Sequence, residues 1–107
     1  MQGYLSKTGP SPKDVYKKRW CTLEGRKLMY HVDMLAAYPK GEVFLGHTSS
    51  GFLVVHGFGP GFREQGFGFI LHTPERAYQF SAETEGERAE WTRSISGILE
   101  TQLMPQV

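Results

Sequence analysis

The hydrophobic period of this chain changes once, close to Thr84, and that change limits what it can fold into. Before Thr84 the apolar residues come in short runs, broken at close intervals by glycine, proline and polar turn formers. That is the pattern of many short strands. After it, Ala89, Trp91, Ile95, Ile98 and Leu99 recur at helical spacing, with Trp91, Ile95 and Ile98 forming one apolar stripe. Thr84 is suited to cap this helix, and Glu87 three residues later completes a capping box. Glu85, Glu87 and Glu90 occupy the first turns, where the helix dipole favours negative charge.

The strand-like segments are Gly3 to Lys7, Tyr16 to Leu23, Leu28 to Val32, Glu42 to Leu45, Gly51 to Val55, Phe67 to His72 and Ala77 to Ser81. Dense turn signals separate several of them: Thr8-Gly9-Pro10-Ser11-Pro12, Glu24-Gly25-Arg26-Lys27 and Thr73-Pro74-Glu75-Arg76. Asp33 to Lys40 reads as a connection, and the glycine-rich stretch from His56 to Gly68 as a loop. The expected fold is mainly β with one helix: a seven-stranded antiparallel barrel or sandwich capped by a C-terminal α-helix. Trp91 is expected to cover one open end, leaving the other accessible. A chain of 107 residues has room for one core, so 1–107 reads as a single domain.

The net charge of +1 hides a polarised distribution. Residues 1–40 carry eight basic side chains against three acids, a net of +5, whereas residues 41–107 carry four against eight, a net of −4. Such a molecule presents one end to an anionic surface. Strand alternation places the cations more sharply. Gly3, Leu5 and Lys7 share a face, as do Lys17, Arg19, Cys21 and Leu23, and Leu28, Tyr30 and Val32. With Leu5, Leu23 and Leu28 directed to the core, Lys7, Lys17 and Arg19 lie on that same face. They are tolerable only where the barrel opens to water, because unpaired buried ammonium groups are very costly. A hairpin joining the first two strands brings the three together. A phosphate ester fits such a cluster: Arg19 can donate two parallel hydrogen bonds, the lysines act as point charges, and the Tyr30 hydroxyl can donate another. The alternative is that these residues stay solvated on an edge hairpin and deter aggregation.

Taken together, Gly3-Tyr4-Leu5-Ser6-Lys7, Lys17-Lys18-Arg19-Trp20, Leu28-Met29-Tyr30 and Glu90-Trp91 in a terminal helix resemble a pleckstrin-homology (PH) domain over essentially the whole chain. The basic signature of phosphoinositide-binding members reads here as Lys7-Thr8-Gly9, seven intervening residues, then Lys17-Lys18-Arg19-Trp20-Cys21. The resemblance implies that Lys7, Lys17 and Arg19 hold the inositol phosphates, with Tyr30 and Lys40 completing the pocket. It also implies a preference for phosphatidylinositol 3,4,5-trisphosphate. Lys13, Lys18, Arg26 and Lys27 are left to general electrostatic attraction.

A narrower resemblance lies in Met1-Gln2-Gly3-Tyr4-Leu5, Arg26-Lys27-Leu28-Met29-Tyr30 and Gly41-Glu42-Val43-Phe44-Leu45-Gly46, which are similar to PH domains of centaurin-type Arf GTPase-activating proteins. That group includes members with ankyrin repeats and a Rho-GAP domain. Their catalytic module uses a four-cysteine zinc finger, which one cysteine cannot supply. Any GTPase-activating activity is therefore expected in other domains of a longer protein, from which this segment is excised.

Other chemistries find little support. Cys21 alone permits no internal disulfide and no four-thiolate zinc site, which fits a reducing compartment. His31, His47, His56 and His72 lack ligand spacing, so no metal and no cofactor is expected. No Gly-x-Ser-x-Gly is present, and the 56–68 glycines do not link a strand to a helix as a nucleotide-binding loop requires. Phe58, Phe62 and Arg63 either touch lipid at a loop tip or, as the favoured expectation, pack on the barrel or stay disordered. Nucleic acid is not an expected partner, given one basic hairpin and a pI near 7.9. The longest apolar runs fall far short of the ~20 residues that span a bilayer, and Met1-Gln2-Gly3 leads directly into a strand without a signal peptide. The expected role is a non-catalytic module, cytoplasmic and recruited peripherally to the plasma membrane by phosphoinositide headgroups and anionic lipid. The competing expectation is a domain that binds a small GTPase or another domain of its own chain, with weak nonspecific lipid attraction.

Overall fold

A computed structural model describes residues 1–102; residues 103–107 of the expected domain lie outside the described residues. Seven strands precede one long helix: β1 (Gln2–Lys7), β2 (Lys17–Glu24), β3 (Lys27–His31), β4 (Gly41–Phe44), β5 (Leu53–His56), β6 (Phe67–His72), β7 (Ala77–Ala82) and α1 (Glu85–Glu100). They form one antiparallel sheet in the order β4-β3-β2-β1-β7-β6-β5. β1 joins the two halves, bonding along its whole length to β2 but only through Ser6↔Ser81 and Lys7↔Phe80 to β7. Leu5, Cys21 and Leu28 from one half share a single buried cluster with Phe69, Leu71 and Phe80 from the other. The sheet therefore curls over one core. The stacked rings of Phe69 and Phe80, 5.2 Å apart, sit in that core.

The expected architecture is the observed one, with shifts at several ends. β3 stops at His31, so Val32 leaves the strand and starts the β3–β4 connection. β5 begins at Leu53 and not at Gly51, because a 3-10 turn at Thr48–Ser50 comes first. His47 caps that turn by accepting from the Ser49 amide, and Gly51 closes it at φ 91°, a left-handed conformation that glycine adopts without a Cβ clash. His56 joins β5 because it pairs with Phe69, which shortens the loop that follows.

Thr84 caps α1 as expected, its Oγ1 accepting from the Glu87 amide at 3.1 Å. The return half of the capping box differs: Glu87 Oε1 accepts from the Thr84 hydroxyl at 3.1 Å. The buried stripe of the helix is Trp91, Thr92, Ile95 and Leu99, while Ile98 is only partly buried. Leu99 displaces Ile98 from the deepest position because Trp91, Ile95 and Leu99 repeat every four residues, on the side packed against β5, β6 and β7. Trp91 also lies against Gly3, where a Cβ would stand 3.7 Å from its Cζ2. Gly3 is near the start of β1 and Lys7 ends it, so Trp91 and the basic cluster mark opposite ends of the strand, roughly 13 Å apart at ordinary strand rise.

Candidate functional site

At the end of the sheet remote from Trp91, the β1–β2 and β3–β4 connections surround an open cavity of about 460 Å³. Its chemistry follows from register. Lys7 faces Lys17 across the β1–β2 ladder, and Leu5 faces Arg19 one step deeper. Next door Cys21 pairs with Tyr30, and Tyr30 in turn with Gly41. One inward face thus passes from the buried Leu5 and Cys21 outward to Lys7, Lys17 and Arg19, as alternation requires. Lys7, Lys17, Arg19, Tyr30 and Lys40 all line the cavity. Lys40 is held there by its backbone, whose amide donates to the Tyr30 carbonyl at 2.8 Å.

Two glycines allow the walls to approach. A Cβ on Gly41 would stand 2.2 Å from Tyr30 Oη, so the phenol ring can lie across β4 only because that side chain is absent. A Cβ on Gly9 would meet Asp14 Oδ2 at 2.3 Å. Asp14 folds back over the β1–β2 loop, where Oδ2 accepts from the Ser11 amide at 3.0 Å. It also lines the cavity, an acid among the cations.

Lys7 is half-buried between aromatic rings. Its Nζ lies 4.4 Å from the Tyr30 ring centre and 5.7 Å from that of Tyr78, and it donates to the Thr8 carbonyl at 3.1 Å. Burial, followed by the fields of Arg76 and Arg19, lowers its pKa below the usual lysine value. Burial pushes the Cys21 thiol up to about 12, which keeps it a protonated core residue.

Arg76 is the residue that strand patterning did not reach. It ends the β6–β7 turn in the acidic part of the sequence, yet β7 lies beside β1 and brings it near Lys7. Its guanidinium carbon is 4.0 Å from the Tyr78 ring centre, and Nη2 is buried without a hydrogen-bond partner. Only the pairing of the first strand with the last reveals this, and no local signal carries it.

The four auxiliary cations are dispersed. Lys13 lies in the β1–β2 loop and lines, with Arg63, a separate recess of about 260 Å³. Lys18 is on the opposite face of β2, 3.8 Å from Glu83 and 4.9 Å from the Tyr4 ring centre. Arg26 sits in the β2–β3 turn and Lys27 opens β3, both at the far end of the sheet. There Arg26 donates to the carbonyls of Leu45 at 2.7 Å, Gly46 at 3.0 Å and Thr101 at 2.9 Å, tying the end of the helix to the strand side. The glycine-rich loop packs on the outer face of β7, where Gln79 and Ser81 bond its backbone. Phe58 packs over Gly68, and Phe62 over Gly59. Among the described residues no group of three His, Cys, Asp or Glu could hold a metal ion, and no helix is long and apolar enough to cross a membrane.

The sequence model of the PH domain matches residues 1–100. The rat protein "Arf-GAP with dual PH domain-containing protein 2" (Rattus norvegicus) is 39% identical over 97% of this chain, and the human protein of the same name is 36% identical over 97%. The chain spans 29% and 28% of the lengths of these relatives. Among solved structures, the C-terminal PH domain of pleckstrin in complex with D-myo-Ins(1,2,3,5,6)P5 superposes with a TM-score of 0.75, at 25% identity and 94% coverage of both chains. The N-terminal PH domain of human ARAP2 gives 0.67 at 26% identity, covering 100% of this chain and 89% of that one. With a family match over 1–100 and the same seven strands and terminal helix, this chain belongs to the PH-domain family, a non-catalytic module.

Proposed function

We propose that the chain binds the phosphorylated headgroup of a membrane phosphoinositide, favouring phosphatidylinositol 3,4,5-trisphosphate, and recruits a larger Arf GTPase-activating protein to the plasma membrane from the cytoplasm. The observation that carries this reading is the convergence of Lys7, Lys17, Arg19, Tyr30 and Lys40 on one open cavity. Cations gathered this closely repel one another until an anion fills the space between them. A phosphorylated inositol offers several dianionic groups on one rigid ring, matched by a guanidinium fork at Arg19 and ammonium groups at Lys7, Lys17 and Lys40. Arg76 supplies further positive field from the β7 side. Pleckstrin's C-terminal PH domain, similar in fold, is described in complex with an inositol pentakisphosphate, which supports the same ligand class here. The Arf GTPase-activating context rests on the relatives matched over this segment, any catalysis then lying in their other domains.

Vesicle sedimentation tests the reading. Vesicles of phosphatidylcholine with phosphatidylserine are compared with vesicles carrying individual phosphoinositides, at low and raised salt. A stereospecific pocket retains binding to one phosphoinositide when salt has removed the general attraction, which is worth about 1 kcal/mol per basic residue. Equal binding to all anionic vesicles, lost together with salt, would leave a nonspecific surface. Saturable capture of a small GTPase, unaffected by Lys17→Ala and Arg19→Ala, would assign the domain to protein interaction.

A further inference from the structure

The β3–β4 connection carries a surface that headgroup binding leaves unexplained. Residues 32–39 read Val-Asp-Met-Leu-Ala-Ala-Tyr-Pro, with one charge. Their large side chains are in water: Leu35 is 89% exposed, Tyr38 86%, Met34 58% and Val32 55%. Soluble domains scatter single apolar residues on their surfaces, but four in seven consecutive positions of one loop form a patch that marks an interaction site. The patch is built to project. Asp33 organises a turn, its Oδ1 accepting from the Leu35 amide at 2.9 Å and its carbonyl from the Ala36 amide at 3.2 Å. The Met34 amide donates to Tyr4 Oη at 3.2 Å, fixing the base of the loop.

Position selects the occupant. The connection returns to the sheet at Lys40, which lines the basic cavity, so one residue, Pro39, separates the exposed Tyr38 from a cavity-lining lysine. Across the same mouth Val15, which also lines the cavity, is 68% exposed. Apolar side chains set beside a cluster of cations match the layering of an anionic bilayer, in which phosphates lie at the surface and acyl chains begin roughly 5–10 Å deeper. A tyrosine with its hydroxyl near the phosphates and its ring below suits the boundary between them.

We propose that residues 32–38 are a wedge that enters the interfacial and upper acyl region of an anionic bilayer beside the occupied cavity. This rests on the headgroup reading for its orientation, while its own partner is the lipid chain region. The domain would then hold a membrane through two different chemistries, and a soluble inositol phosphate would engage only one of them.

A fluorophore sensitive to polarity, attached through Ala37→Cys, reports the depth of the loop; Cys21 is fully buried and leaves the introduced thiol as the accessible one. The probes are vesicles of phosphatidylcholine and phosphatidylserine with phosphatidylinositol 3,4,5-trisphosphate, and soluble inositol 1,3,4,5-tetrakisphosphate. Expected are a blue shift on vesicle binding, quenching by lipids brominated on the acyl chain, and no shift with the soluble headgroup. Leu35→Gln, which changes no charge, is expected to weaken vesicle binding about tenfold and to leave soluble headgroup affinity within about a factor of two. A dye that stays in water on vesicle-bound protein, or a Leu35→Gln variant that binds vesicles like the parent, overturns the wedge and leaves the loop as a protein-facing surface. Absent soluble headgroup binding with a buried dye removes the headgroup site alone, and a chain that binds neither probe removes both.

Discussion

The Lys7 ammonium lies 4.4 Å from the centre of the Tyr30 ring, on the route from the hydrophobic core to the cavity mouth. The contact offsets only part of what the charge loses by leaving water, since burial is the largest cause of its lowered pKa. The site thus holds a cation that the fold by itself disfavours. Replacing it with an uncharged side chain of similar length, Lys7→Met, is expected to raise the thermal midpoint while abolishing high-affinity inositol phosphate binding. Thermal denaturation and calorimetric titration of the same variant check both halves.

The same shift predicts a pH dependence with a definite sign. The folded pKa of Lys7 is below the ordinary value of 10.5, so between the two the unfolded chain holds a proton that the folded chain has lost. The Lys7 contribution to stability therefore rises with pH across that interval and is least favourable below it. Anion binding has the opposite sign, because a phosphate stabilises the ammonium. Headgroup affinity is expected to fall as pH rises through the lowered pKa, with proton uptake on binding there. Titrations in buffers of different ionisation enthalpy measure that uptake, and Lys7→Met should remove it.

Arg19 and Lys17 are asked to make charge-assisted hydrogen bonds, each worth about 1.5–3 kcal/mol. Arg19→Ala and Lys17→Ala are each expected to weaken headgroup affinity by about 10- to 100-fold. Stability should change little, because Lys17 is exposed and Arg19 is only partly buried. Arg19→Lys should recover part of the loss, since it restores charge without the planar fork. Isothermal titration gives the affinities and urea unfolding the stability.

Gly41→Ala tests whether the Tyr30 wall is part of the site. The added methyl would occupy the place of the phenol, 2.2 Å from Oη and 2.4 Å from Cζ, so the ring must swing away. Affinity is expected to fall about fivefold or more, by an amount close to that of Tyr30→Ala. The double variant should add little to either, because both changes remove the same contact.

Arg26 carries the charge of an auxiliary cation but the contacts of a structural one. Arg26→Ala leaves the carbonyls of Leu45, Gly46 and Thr101 without their donor. A loss of about 1–3 kcal/mol in unfolding free energy is expected. Inositol phosphate titration should be unchanged, since the side chain sits at the other end of the sheet. Denaturant unfolding and headgroup titration separate the two effects.

Much of this site was legible in the residues because strand alternation is local. Once Leu5, Leu23 and Leu28 face a core, Lys7, Lys17, Arg19 and Tyr30 must share that face, whatever the rest of the chain does. The helix was legible for the same reason, since Thr84, Glu87 and the Trp91–Ile95 spacing act within a few turns. Ends of elements were less so: Ile98 and Leu99 are adjacent, and only the packing of α1 on β5, β6 and β7 chose Leu99 for the deeper place.

The residue sequence by itself determined which side chains share a face, because a period of two or of 3.6 is a property of neighbouring backbone units. It could not choose a place for the cations off that face, because a net charge of +5 is the same wherever its members lie. The tertiary structure made that choice. The pairing of β1 with β7 brought Arg76 toward Lys7 across 69 positions of the chain, and the β2–β3 hairpin carried Arg26 and Lys27 to the opposite end. The first depends on which distant strands lie side by side, a long-range outcome set by burying Leu5, Phe69 and Phe80 in one core.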